Sequence, residues 1–501
     1  MLKTRISGRV HCVGALRALI LAATLTGNAL GEAQVVREVE ITGNTRTKAE
    51  VIRRELLFEP GDTLTVDLIE ETERNLRAFL FLGDVELGMT QEGNWVDVLI
   101  RVRDLYARAI TPLLSGEPDE LSYGAVGLDY NFLGRGQILE VTAEHDPITG
   151  DRARVFYRAP RLSGSNLRLD LDGEISSDGH HASIAVARPF FRLAERWSVG
   201  ASVLNQESVV RLNSGESLAE QYDVRTWSAT ASVRRSYGED VKARTGVFLA
   251  ISDRLFEPET GFTYAPADRR RVLPSLGLTV WRPQYDTTRF LRRLGRKEDV
   301  QTGSWATVRV GASLEAIGSD RNYQFFTMDL NPRLKSGDRA YLFSRFTLRG
   351  RMSQGRIWNV FGSAEAMGIV KIGETHSFAA RARYDGLGRT EDATQYLLGT
   401  ARGLRGYALR RFDGSRRLIF NVEARPTLLR RRDYTLAGVV FVDGGSAWTP
   451  GQGGQVFATA VGIGGRVGLT RVYNSPILRA DVGYGFEDRA WVLYMGLGQY
   501  F

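Results

Sequence analysis

A two-residue alternation of apolar and polar side chains runs through the chain from about Leu105 to Phe501. That period puts successive side chains on opposite faces of a β-strand, so each run has one apolar and one polar face. Residues 137–144, 165–174, 226–234 and 307–314 are such runs, each about the length that a tilted membrane strand requires. Two more lie within 396–448. In one, Leu418, Phe420, Val422 and Ala424 share a face and Ile419, Asn421, Glu423 and Arg425 share the other. In the next, Leu436, Gly438, Val440 and Val442 oppose Thr435, Ala437, Val439, Phe441 and Asp443. Glu423 and Asp443 thus point away from faces that carry no charge. If those faces meet lipid, the carboxylates lie inside a barrel and need a cation, which Arg405 in the turn Leu404-Arg405-Gly406-Tyr407 can supply. A surface turn beside two ordinary amphipathic strands fits the same spacing.

Composition narrows the class. A hydrophobic fraction of 43% and a mean hydropathy of −0.21 argue against a helical membrane protein. They leave a membrane barrel open, because alternating strands average to nothing. The formal charge of +8 includes Lys3, Arg5, Arg9 and Arg17 of an apparent leader. The remaining excess is spread over many strands and forms no nucleic-acid footprint. The single cysteine, Cys12, also lies in the leader, so the rest of the chain has no disulfide framework and no thiolate metal site.

Residues 1–33 read as a secretory signal: a basic start, an apolar core from Val13 to Leu25 broken by Arg17, and small residues at Ala29 and Gly31. Cleavage is expected after Gly31 or Ala33. Residues 34–104 read as strand, helix, helix, strand, strand. Val39 and Ile41 alternate before a turn at Gly43-Asn44, and Thr47 with Glu50 gives a capping-box signature. Thr65 caps a second helix bearing Ile69, Thr72, Leu76 and Phe79, and Val96, Val98, Ile100 and Val102 close the unit as a clean strand. Residues 105–501 then form one strand-rich domain.

Several of these residues carry a resemblance. The Leu404-Arg405-Gly406-Tyr407 turn with Gly403, the run Phe441-Val442-Asp443-Gly444-Gly445 and the terminal Phe501 are similar to the BamA/TamA-type outer-membrane assembly factors and their relatives in two-partner secretion. Residues 34–104 resemble that family's periplasmic POTRA module, present here once, and Asn131 to Gly136 resemble the tight turn near the start of its barrel. The resemblance implies an all-β antiparallel transmembrane barrel of 16 strands with one small N-terminal α+β POTRA domain; counting alternating segments gives nearer 20, and 16 is the expected number. It further implies a loop folded back into the lumen, with Arg405 meeting an acidic residue on a neighbouring strand. Asp443 is the expected partner, Glu423 shares the charge, and Tyr407 packs on the lumen wall.

The final strand is expected to run to Phe501, with Trp491, Leu493, Met495, Leu497, Gln499 and Phe501 on one face. Its sorting signal comprises Tyr494, Gly496, Leu497, Gly498 and Phe501, with the terminal aromatic at the lipid interface. Gly496 and Gly498 weaken strand packing and suit a seam that opens. The polar stretches 289–301 and 388–395 are expected on the extracellular side.

The implied activity is insertion or translocation of client polypeptides at the bacterial outer membrane. The POTRA domain, in the periplasm, would capture extended clients by β-augmentation. Partners are outer-membrane lipids, unfolded or extended client polypeptides and other periplasmic assembly components, with no nucleic acid. No cofactor, metal or catalytic residue is expected. There is no Gly-x-Ser-x-Gly elbow, His145, His180, His181 and His376 lack metal-ligand spacing, and Gly462-Ile463-Gly464-Gly465 lacks the spacing of a phosphate loop. Lipid transport, a passive porin and a barrel enzyme are the alternatives, and a soluble sandwich or propeller is the alternative fold.

Overall fold

The computed structural model describes residues 34–295, 297–469 and 477–501. The expected leader lies outside the described residues. The N-terminal unit pairs β1 (Val35–Thr42) parallel to β3 (Trp95–Asp104), with β2 (Leu82–Glu92) antiparallel on the other side of β3. Two helices, α1 (Ala49–Arg53) and α2 (Val66–Ala78), complete it. Val36, Ile52, Leu76, Val98 and Ile100 are buried together in its core. The Thr65 hydroxyl caps α2, accepting from the Leu68 amide at 3.3 Å. The capping box at Thr47 does not form. Lys48 is the residue before α1, and the Thr47 hydroxyl is spent on Asp104 and Asn131 instead.

The rest is a closed antiparallel barrel. Its ladder holds Asn331 and Arg333 on one strand broken by Pro332, and Arg425 and Thr427 on another broken by Pro426, since proline donates no ladder hydrogen bond. Counted that way, the described residues build 20 strands, which corrects the expected 16. The excess has a simple cause: two-residue turns such as 177–178, 215–216 and 354–355 make each alternating run its own strand, so the alternation was a better guide than the resemblance. The apolar faces point outward: Val247 is 60% exposed, Val440 56% and Ile463 64%. Partners such as Arg154 with Asp172 and Arg158 with Asp170 face the lumen. Among the described residues no helix is long and apolar enough to cross a membrane.

Loops after odd-numbered strands open at the rim far from the N-terminal domain, and those after even-numbered strands open beside it. Residues 282–304 follow the tenth strand (Arg269–Trp281) and therefore lie on the N-terminal domain's side. The expectation that 289–301 is extracellular fails for this reason: polarity reports exposure, not parity. Residues 388–395 follow the fifteenth strand and open at the far rim.

The N-terminal domain docks on the near rim. Glu55 takes a two-pronged contact from Arg161 at 3.0 Å each, the Glu71 carboxylate accepts from the Leu193 amide at 2.6 Å, and the Lys48 amide donates to the Gly134 carbonyl at 3.1 Å.

Candidate functional site

Residues 389–415 leave the far rim and descend into the lumen, pinned by a small ladder between Tyr396–Leu398 and Phe412–Gly414. At the bottom, Gly403 and Gly406 take φ of 113° and 86°, backbone that only glycine adopts freely. The approach to the wall is equally demanding. A Cβ on Gly406 would lie 3.0 Å from the Gly485 amide nitrogen, and one on Gly485 would lie 2.3 Å from the Gly406 carbonyl oxygen. Glycines on both sides let backbone touch backbone.

Arg405 is buried there. It holds Asp443 by three hydrogen bonds: from the backbone amide at 3.1 Å, from Nε at 2.7 Å and from Nη2 at 2.9 Å. Nη1 reaches Glu423 at 2.6 Å, and Asp481 lies 3.8 Å away. The faces read from sequence explain the placement. Glu423 and Asp443 are essentially unexposed, while Val422 and Val442 on the opposite faces meet the outside. The ladder sets Asn421 opposite Asp443 and Glu423 opposite Phe441, so both carboxylates reach one guanidinium. The guanidinium lies 3.5 Å from the Phe441 ring centroid and 4.1 Å from that of Tyr500.

Three further groups extend the charge network. Arg425 Nε donates to Glu423 at 2.7 Å, Arg466 Nη1 donates to Asp481 at 2.7 Å, and the Asn421 amide bridges Asp443 and the Gly403 carbonyl at 2.7 and 3.0 Å. Buried charges persist only when paired in this way. Leu404 and Tyr407 are buried against Ile419, Ala458 and Ala460, and the Tyr407 hydroxyl donates to the Thr459 carbonyl at 2.6 Å and contacts Glu487. Arg466, Asp481 and Tyr500 were not among the residues singled out from sequence. Arg466 and Asp481 alternate inward on their strands, but nothing local says that those strands flank the loop.

The C-terminus departs from expectation. The last strand stops at Leu497, and Gly498, at φ 83°, turns the chain into the lumen. Tyr494 faces inward, with its hydroxyl 3.0 Å from that of Ser115. The Tyr500 hydroxyl donates to the Thr400 carbonyl at 2.8 Å and accepts from the Gly403 amide at 3.0 Å. Phe501 lies beneath Arg381 and Arg425 rather than at the lipid face, because the cation-lined wall offers its ring two guanidiniums. The described histidines sit at or near strand ends, with His145 2.7 Å from Asp151 and His376 accepting from the Thr427 amide at 3.0 Å. Among the described residues no three His, Cys, Asp or Glu side chains are grouped to hold a metal.

Residues 34–103 match the POTRA family model, described as a surface antigen variable number repeat. No curated protein matches the sequence. Among solved structures, CdiB from Escherichia coli is similar at 10% identity and a TM-score of 0.53, over 93% of this chain and 76% of that one. CdiB from Acinetobacter baumannii (12%, TM-score 0.46, 93% and 74%) and BamA from Haemophilus ducreyi lacking POTRA domains 1–3 (15%, TM-score 0.42, 94% and 85%) are more distant in shape. Residues 34–103 are thus a POTRA domain, and the likeness to CdiB from Escherichia coli is one of fold, a closed β-barrel behind such a domain.

Proposed function

We propose that this barrel inserts or translocates polypeptides by opening between its last and first strands. One observation carries the reading: strands Ala490–Leu497 and Arg108–Glu117 share a single register pair, Met495 with Gly116. Among the described residues every other neighbouring pair of barrel strands shares between 7 and 18. Unpaired backbone groups in lipid cost several kcal/mol each, so a nearly bare pair of edges is a standing template for an incoming strand. Gly498 turns the chain away just where further pairing would seal the seam.

The N-terminal domain faces the periplasm in this reading, with the even strand number returning the C-terminus to the same side. Its outer edge at β2 has no strand paired to it among the described residues, whereas β1 is covered at its start by residues 61–64. β2 is thus the edge for client capture by β-augmentation. A passive pore fits poorly, since the lumen is filled from the far rim by residues 389–415 and from the near rim by the 285–301 hairpin.

The test joins the seam covalently. Ser115→Cys and Tyr494→Cys, linked by a short bismaleimide, should abolish client insertion into liposomes, while each single variant treated alike stays active. Insertion at the unlinked rate by the cross-linked protein would remove the seam from the mechanism.

A further inference from the structure

A cavity of about 1270 Å³ opens between the N-terminal domain, the near-rim hairpin (Tyr285–Arg289 with Lys297–Gln301) and the barrel rim. Its described lining holds eleven Arg and Lys side chains against three carboxylates. All three carboxylates are already engaged. Asp299 holds Arg77, Asp84 holds Arg103, and Glu298 accepts from the backbone amides of Leu291, Arg292 and Arg293. Arg74, Arg289, Arg292, Lys297, Arg333 and Arg430 have no ion-pair partner among the described residues. Like charges gathered in a confined space repel, and three carboxylates among the described lining residues offset eleven cations only in part.

The arginines are also pre-set. Arg333 lies over Trp305 at 4.7 Å and Phe343 at 4.9 Å, Arg292 over Phe343 at 4.4 Å, and Arg74 over Tyr285 at 4.4 Å. A stacked guanidinium presents its N–H edge sideways, the orientation in which it grips an oxyanion with two parallel bonds. Arg333 Nε is enclosed and has no hydrogen-bond partner among the described residues. Burial also lowers the affinity of Arg292 for its proton, which an arriving anion would restore.

We infer that this cavity binds the phosphate-bearing headgroup of an anionic membrane lipid. Phosphate suits it better than a polypeptide's carboxylates: one phosphate supplies up to two charges and three acceptor oxygens at a point, whereas acidic side chains arrive singly along an extended backbone. Lipid suits it better than a soluble phosphate because Leu80, Leu82, Val85 and Leu105 form an apolar wall beside the cations, which an acyl chain could follow while the headgroup meets the guanidiniums. A headgroup held by Arg74, Arg292 and Arg333 would tie α2, the hairpin and the barrel wall together. The inference is independent of whether the seam opens.

Full-length protein in nanodiscs provides the test. Native mass spectrometry should show phosphatidic acid retained over phosphatidylcholine, and calorimetry in detergent should show inorganic pyrophosphate binding weakly at the same site. Arg292→Gln with Arg333→Gln should lower lipid retention about tenfold or more. Arg345→Gln, on a barrel strand outside the cavity, should not. A cooperative melt like that of the unaltered protein certifies folding, and Arg430→Gln, in an exposed position, serves if the double variant does not fold. Equal retention of the two lipids, or retention indifferent to the arginines, would overturn the inference. Pyrophosphate binding without lipid selectivity would refute the lipid source, and displacement of lipid by an Asp-rich peptide as readily as by pyrophosphate would refute phosphate recognition.

Discussion

The lumen is entered from both rims, and the two insertions are held by opposite means. The far-rim loop is fixed by charge: Arg405 sits among Asp443, Glu423 and Asp481, and Arg425, Arg466 and Arg479 share the last two, so every one of these carboxylates is paired. The near-rim hairpin is fixed by shape. Leu291 and Val300 are buried with Tyr341, Phe343, Ile369 and Ala379, while its charges spill into an unbalanced cavity. A paired buried network resists removal of a carboxylate, since the guanidinium left behind is an uncompensated charge. An unbalanced one waits for a ligand. The first arrangement is that of a fixed strut, and the second that of a receptor.

The comparison breaks most readily at Asp443. Asp443→Ala leaves Arg405 hydrogen-bonded to Glu423 alone, with Asp481 3.8 Å away, and should destabilise the seated loop by about 3–5 kcal/mol, less any relief from lumen water. Protease cleavage within 389–415 in detergent-solubilised protein should rise accordingly, with the hairpin's protection unchanged. In a double-mutant cycle, Arg405→Ala and Asp443→Ala should couple strongly, and Arg405→Ala with Glu423→Ala less so, because Asp443 takes three of the bonds from Arg405 and Glu423 one. Simple additivity for the first pair would remove the strut. Arg405→Lys should rescue only in part, as lysine has no planar fork.

A smaller effect is expected at Gly406. Gly406→Ala must hold an L-residue at φ 86° and set its Cβ about 3 Å from the Gly485 backbone and from Ala460. The conformational term alone is about 1–3 kcal/mol. The melt should shift less than for Asp443→Ala, and an unchanged melt would mean that the loop does not touch the wall.

Much of this site was legible because period two fixes the face of every residue. Glu423 and Asp443 could be set on the lumen side from their apolar neighbours alone, and Arg425 fell on the same face. Period two does not say which strands are neighbours around a closed ring, so Asp481 and Arg466 gave no local sign of joining Arg405. Nor does it say where a strand stops. Gly498 was visible as a weak point, yet the turn that carries Tyr500 and Phe501 inward depends on partners such as Thr400 and Arg381, far away in sequence. The side on which 289–301 falls depends on counting ten strands correctly before it.

The smallest effect, and the sharpest separation of the two insertions, should come from Arg77. It donates from α2 to Asp299 of the hairpin through Nε at 3.0 Å and Nη2 at 3.2 Å, and also pairs with Glu73 one turn away. Burial works against its charge, but Asp299 and Glu73 hold its proton affinity above the ordinary value. Arginine is charged at any ordinary pH in either case, so its own titration does not open the contact. Because the pair is partly open to water, Arg77→Ala should cost about 1 kcal/mol. Hydrogen exchange should quicken in 285–301 and leave 399–407 unchanged, since no ion of the far-rim network contacts Arg77. If exchange quickens in both segments, the hairpin and the loop move as one body, and the contrast between strut and receptor fails.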